Sequence, residues 1–170
     1  MTPLYVFAFA AAAFAFGHTC INDWEAKEVG RNFGLLVSNY SNTLAESILA
    51  PGFTDQTDSV ITLIDSAAEP QVPLALGSLT FPSKAAFMAL SSQQPSVPFQ
   101  VVNTWHTCTE VIIRWISRQT PQQVQGFTAM EVIKNANRRT VHEYPYLINT
   151  TYGEFNSGAW LKNLGNPQCT

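Results

Sequence analysis

An α+β domain is the fold class this sequence predicts, and three observations carry the prediction. Apolar residues recur at helical spacing through residues 23–40. From Phe99 to Phe155 the chain turns strand-like, in four segments of 8–12 residues divided by turn signals. Helices thus precede a run of consecutive strands, an order in which helices segregate to one face of an antiparallel sheet.

The first helix spans residues 23–40, with Val29, Phe33, Leu36, Val37 and Tyr40 on one side and Glu25, Lys27, Glu28 and Arg31 between them. Asp23 is its expected N-cap. After Ser41-Asn42, Thr43 and Glu46 form a capping-box pattern for a short second helix carrying Leu44, Ile48 and Leu49, which Pro51-Gly52 ends. Phe53–Ile64, rich in Thr, Val and Ile, reads as extended, and Asp65–Leu79, with Pro70, Pro73 and Gly77, as a long loop. Pro82-Ser83 opens a third helix to about Ser91. Four strands follow at Phe99–His106, Glu110–Arg118, Gln123–Lys134 and Tyr144–Phe155, with a Thr107-Cys108-Thr109 turn between the first two. Ser157–Leu164 closes the domain as a short helix, with Asn156 as a candidate N-cap. These strands exceed the usual length of about 5–6 residues. Long consecutive antiparallel strands curl, and a concave sheet partly covered by helices makes a small-molecule cavity.

The chain has 170 residues and a net charge of −3, with 46% hydrophobic and only 12% charged residues. The charge balance argues against a nucleic-acid partner, which calls for a basic face. Residues 1–17 contain no charged side chain, and their apolar run from Leu4 to Phe16 suits a secretory leader rather than a membrane span, which takes about 20 residues. Small-x-small triplets at Ala13-Phe14-Ala15 and Ala15-Phe16-Gly17 fit the cleavage rule. The mature chain is then one domain, residues 18–170, with no membrane span. Sequons at Asn39 and Asn149 agree with secretion. In an oxidising compartment Cys20 and Cys169, at the two ends of the mature chain, are suggestive of a disulfide; Cys20–Cys108 and Cys108–Cys169 stay open.

Three segments carry a family resemblance: LAESILAPGFTDQTDSV (Leu44–Val60), FQVVNTWHTCTEVIIRWIS (Phe99–Ser117) and TYGEFNSGAWLKNLG (Thr151–Gly165). With the element order, they resemble the nuclear transport factor 2-like superfamily, which includes ketosteroid isomerases, scytalone dehydratases and SnoaL-type polyketide cyclases. More closely, they resemble a branch of small secreted fungal proteins with this domain. The resemblance implies a cone: a strongly bent mixed sheet whose concave face is covered by about three N-terminal helices. It also implies a pocket inside the cone, and a homodimer through the open sheet face. Fold alone does not fix activity.

Because charges are scarce, ionisable groups on strands are informative. The resemblance places a pocket acid on the first strand, where Asp55 and Asp58 stand; period 2 puts them on opposite faces. A carboxylate in an apolar cavity acts as general acid or base near neutral pH. His106, at a strand end beside Trp105, is a candidate catalytic base or oxyanion-stabilising group, or else a satisfied turn residue. On Glu110–Arg118, Val111, Ile113 and Trp115 share one face; Ile112, Arg114, Ile116 and Arg118 share the other. Arg114 either pairs with Glu131 across the sheet or clamps an anionic substrate in the cavity. Tyr152, Glu154 and Asn156 recur on one side of the last strand, at the pocket mouth or fastening the closing helix. Trp24, Phe33, Trp105, Trp115 and Tyr146 line core or cavity. There is no metal-ligand spacing, nucleophile elbow or phosphate-binding glycine loop, so neither metal nor cofactor is expected.

The reading that follows is a secreted, cofactor-independent cyclase, isomerase or dehydratase-like protein of fungal secondary metabolism, acting on polyketide or anhydride-type compounds. Asp55, Asp58 and His106 are its catalytic candidates. Arg114, Trp105, Glu131 and Tyr152 are its substrate-binding candidates, for a small hydrophobic or anionic molecule. The alternative is a non-catalytic secreted protein that binds a hydrophobic small molecule, or an effector-like or structural protein.

Overall fold

The computed structural model describes residues 20–67 and 73–165. The expected leader (1–17) and Cys169 lie outside the described residues. Helix α1, Asp23–Ser38, starts on a capping box one residue earlier than expected. The Asn22 side chain accepts from the backbone N–H groups of Trp24 and Glu25, and the Glu25 carboxylate accepts from the Asn22 N–H. Helix α2, Asn42–Ile48, is capped by the Ser41 hydroxyl, which accepts from Leu44 N–H. The predicted Thr43/Glu46 box does not form; Glu46 instead pairs with Lys84 at 2.5 Å.

Pro51-Gly52 does not itself end α2, which already stops at Ile48. Strand β1, Leu49–Gln56, runs through it. β1 is an edge strand, and its register on β5 (Tyr146–Phe155) shifts between Leu49 and Thr54, where a residue without an N–H is tolerated. The extended reading of Phe53–Ile64 holds through Gln56 and is corrected beyond it: helix α3, Asp58–Ala67, begins two residues after β1. Its β-branched residues favour strand by propensity, but a tertiary cap decides the outcome. The Glu154 carboxylate accepts from the N–H groups of Asp58 (3.2 Å) and Ser59 (3.3 Å) and from the Ser59 hydroxyl. Removing this cap in Glu154→Ala is expected to cost about 1 kcal/mol, read as a lowered urea midpoint with an unchanged m-value.

Helix α4, Lys84–Ser91, carries the expected Ser83 cap. Strands β2 (Gln100–His106), β3 (Glu110–Ser117) and β4 (Val124–Lys134) form an antiparallel meander with β5. β1 joins β5 in parallel, giving a mixed, curved five-stranded sheet in the order β1-β5-β4-β3-β2. Helix α5, Ser157–Asn163, is capped by Asn156, as predicted. Among the described residues four helices precede β2 rather than three, the extra one being α3.

Alternation sorts each strand into two faces. Val111, Ile113 and Trp115, with Gly126, Thr128 and Met130, turn inward beneath α1 and are buried. The packing is close: a Cβ on Gly30 of α1 would lie 2.8 Å from Ile113 Cγ2. Gly126 lets β4, β5 and the Trp115 ring meet, since a Cβ there would sit 2.5 Å from the Glu154 carbonyl oxygen. A chain of rings, Phe33, Phe99, Trp115, Phe155 and Trp160, fills one end of the interior.

The disulfide joins Cys20 to Cys108 (S–S 2.05 Å), and not to Cys169. The start of α1 lies against the β2–β3 turn, where Ile21 N–H donates to the Cys108 carbonyl (3.4 Å). That proximity brings the two sulfurs together and fixes the alternative the sequence had left open.

Candidate interior acid site

Asp55 is the predicted site residue that faces the interior. Its backbone is held on both edges. Register pairs it with Thr151 of β5, while its N–H donates to the Phe81 carbonyl (3.0 Å) and its carbonyl accepts from Thr80 and Phe81. Its side chain lies on the inner face and the residue is only 8% exposed. Oδ2 accepts from the Thr151 hydroxyl, while Oδ1 is buried without a hydrogen-bond partner. Burial pushes the Asp55 carboxyl above the usual carboxylate range, opposed by the hydroxyls of Thr151, Thr57 and Thr80.

The surroundings explain how an acid survives there. Following the register across the inner face, Phe81, Asp55, Thr151, Met130 and Val111 lie side by side. Phe87 meets Phe53 and Phe81 edge-on at 5.4 Å, supplying apolar walls. Gly153, next on the inner face, lets two hydroxyls approach closely: a Cβ there would lie 3.1 Å from Thr57 Oγ1 and 3.6 Å from Thr128 Oγ1. The Thr128 hydroxyl in turn accepts from Trp115 Nε1 at 3.1 Å. These threonines were not singled out from the sequence. Period-2 alternation from Thr151 to Gly153 was the available signal, but it needs the β1–β5 register to connect it to Asp55.

The other candidates lie elsewhere. Asp58 is not on a strand face: it opens α3, and its Oδ1 accepts from Gly77 N–H (2.7 Å), fastening the loop. His106 sits at the rim, its Nε2 2.8 Å from Asp23 Oδ1 and its Nδ1 3.0 Å from the Thr107 carbonyl. Their hydrogen bond raises the His106 pKa and lowers that of Asp23. Arg114 is on the outer sheet face and donates to Asn103 (3.2 Å). It does not meet Glu131, because register places Phe127 opposite Arg114 and Glu110 opposite Glu131. Glu131 accepts from the Tyr152 hydroxyl (3.2 Å), whose pKa it raises. Trp105 stacks on Phe127 with centroids 6.5 Å apart. Arg114, Trp105, Glu131 and Tyr152 therefore do share a face, but it is the one turned away from Asp55. Trp24, placed in core or cavity by the sequence, is exposed, whereas Trp115 and Tyr146 are buried.

An open cleft of about 350 Å³ lies between α2 and α4, beside Met88 and the Lys84–Glu46 pair, and contains none of these candidates. Among the described residues no cluster of three or more His, Cys, Asp or Glu side chains is placed to hold a metal ion. None of their helices is long and apolar enough to cross a membrane.

No curated protein sequence matches the chain significantly. Solved structures share its fold at low identity. IdmH from Streptomyces antibioticus, a candidate polyketide cyclase, is 8% identical with a TM-score of 0.55, over 82% of this chain and 98% of its own. A candidate ketosteroid isomerase from Kribbella flavida is 10% identical with a TM-score of 0.53, over 78% of each chain. A de novo designed protein with a curved β-sheet is 8% identical with a TM-score of 0.52, over 88% of this chain and all of its own. A designed scaffold scoring alongside two candidate enzymes means that these likenesses establish architecture alone. The family model described as an NTF2-like domain matches residues 19–167, nearly the whole sequence, and the chain belongs to that family.

Proposed function

We propose that this protein is a secreted, cofactor-independent enzyme of the cyclase, isomerase or dehydratase class, in which Asp55 moves a proton on an uncharged polyketide-type carbonyl compound. The observation that carries the reading is the buried Asp55 carboxyl with one unpartnered oxygen. Oδ1 takes a proton from the carbon next to a carbonyl, the C–H electron pair moves into an enolate, and the proton returns to the same or another carbon. Two fold neighbours, a candidate polyketide cyclase and a candidate ketosteroid isomerase, bear names of this chemistry. Arg114 on the outer face offers no cation near Asp55, which favours a neutral substrate over an anionic one. The test is deuterium uptake from D2O at the α-carbons of a panel of cyclic ketones and polyketide-like diketones, followed by NMR. Wild type and Asp58→Asn should exchange and Asp55→Asn should not; equal exchange by Asp55→Asn sinks the reading.

A non-catalytic binding protein is the second reading, favoured by Asp58, His106, Arg114, Trp105, Glu131 and Tyr152 all lying off the inner face. Saturable binding of the same ketones with no exchange by wild type would select it.

The outer sheet face supports the homodimer. Phe127, Trp105 and Tyr152 are 53%, 48% and 43% exposed, and across the sheet they adjoin Ile112 and Ala129. Phe127→Glu is expected to turn a dimer into a monomer in sedimentation velocity while leaving circular dichroism unchanged. A wild type that sediments as a monomer at about 100 μM, so that any Kd lies above that order, removes the dimer from the proposal.

For secretion, residues 1–17 serve as the leader, and the Cys20–Cys108 bond fits an oxidising compartment. Of the two sequons, Asn39 is exposed at the end of α1, whereas Asn149 is half-buried within β5, between β1 and β4. The fold thus favours Asn39 as the glycan site.

A further inference from the structure

The two oxygens of Asp55 are not equivalent, and the difference comes from one neighbour. Thr151 is 1% exposed and stands directly opposite Asp55 in the parallel β1–β5 register. Its hydroxyl has a single proton, and it donates that proton to Oδ2. A β-branched side chain in a strand has few χ1 choices, so this donor is held in place. The Thr80 hydroxyl, by contrast, is engaged with the main chain of Thr57. Thr80 Oγ1 accepts from Thr57 N–H (2.8 Å) and gives its own proton to the Thr57 carbonyl (3.1 Å).

The main chain of Asp55 is also fixed. The β5 ladder holds one edge and the Thr80–Phe81 backbone holds the other. Only the side-chain torsions of Asp55 remain to be set, and the Thr151 hydroxyl anchors one of its oxygens. Oδ1 is left buried with no hydrogen-bond partner.

We propose that Thr151 is the positioning residue of this site: by holding Oδ2 it makes Oδ1 the one oxygen that takes and returns the proton. The proposal rests on the reading of Asp55 as the acid–base group. The groups facing the carboxyl are hydroxyls, from Thr57 at the end of β1, Thr80 on the following loop and Thr151 on β5, and none of the groups identified as acting on it is charged. A change at Thr151 is therefore felt directly and is not buffered by a neighbouring charge.

Thr151→Val keeps the shape and removes the donor; Thr151→Ser keeps the donor. Carbon-13 NMR titration of the Asp55 carboxyl in wild type and both variants tests the proposal, alongside deuterium exchange of the same ketones resolved into kcat and KM. Loss of the Thr151 hydrogen bond, the largest of the three hydroxyl contributions to the charged form, is expected to raise the Asp55 midpoint by about one unit in Thr151→Val. It should also lower kcat about tenfold, the size of one misplaced contact of about 1.4 kcal/mol, with KM little changed. Thr151→Ser should restore both. A Thr151→Val midpoint that stays at the wild-type value, or a Thr151→Ser variant that behaves like Val, overturns the assignment. If none of the three proteins exchanges any ketone, the enzymatic reading fails while the titration still decides what Thr151 does to Asp55.

Discussion

Asp55→Asn is expected to abolish proton exchange and to gain stability relative to the wild type as pH rises toward neutrality. On the first count, losing a positioned general base costs about 10²–10⁴-fold in rate. Asn matches Asp in shape and still accepts the Thr151 hydrogen bond through its oxygen, so the loss reports on chemistry and not on packing. On the second count, desolvation dominates the raised Asp55 pKa. The unfolded chain titrates this carboxyl near about 3.9, and the folded protein holds the proton to higher pH. Between the two values the folded state binds more protons than the unfolded state. Stability therefore falls as pH rises through that window and levels off above the folded value. The Asn variant cannot ionise at this position and lacks that part of the slope. Urea melts at a series of pH values from 4 to 8 check this: the variant should gain on the wild type as pH rises, then hold a constant margin. A wild type that gains on the variant over that range would mean that Asp55 is stabilised in its charged form, and the case for a basic interior oxygen would fail with it. A site kept at a cost to the fold is the signature expected of a functional group.

How far this site was legible in the sequence follows from which interactions are local. The meander from β2 to β5 was readable because alternation and turn residues act over a few positions, and Asn156 and Ser83 were readable as caps for the same reason. Asp55 on the first strand was found through the family likeness, and the strand alternation of Glu110–Arg118 placed Arg114 and Trp115 on opposite faces, as they are. What was missed depends on contacts distant in sequence. Residues 58–67 look extended by composition; they form α3 because Glu154, 96 positions away from Asp58, caps the helix. That single contact also removes Asp58 from the list of strand acids. Phase was the second difficulty. Alternation says which residues of a strand share a face, but not which face is the inside; the substrate-binding candidates Arg114, Trp105, Glu131 and Tyr152 lie together on the outer face, away from Asp55. Only the position of α1, packed through Gly30 on Ile113, makes that choice. Thr151 illustrates both limits at once: it stood in a sequon, and its relation to Asp55 requires a parallel register across 96 residues.

Replacing Cys20 and Cys108 by Ser is expected to produce the largest loss of stability of any two-residue change proposed for this fold. The bridge spans 88 residues of sequence. In the chain-entropy account, freeing a loop of that size costs about 4–5 kcal/mol, with measured losses commonly about 2–5. For a chain of this length, that is a fall in Tm of roughly 10 °C or more. Other contacts at the same junction cannot compensate. The Asp23–His106 pair is exposed, where such pairs contribute little, and the Ile21–Cys108 backbone hydrogen bond is long at 3.4 Å. Without the bond, the start of α1 would be held to the β2–β3 turn chiefly by Ile21, which is buried in the core. The competing pairing makes a sharp control. If Cys20 bridged Cys169, Cys169→Ser would destabilise the protein as much as Cys20→Ser, and Cys108→Ser would leave it intact. The Cys20–Cys108 bond demands the reverse: Cys20→Ser and Cys108→Ser alike in their loss, the double variant no worse than either, and Cys169→Ser melting with the wild type. Thermal unfolding of the four variants under non-reducing conditions, with a proteolytic map of the disulfide-linked peptides, decides between them.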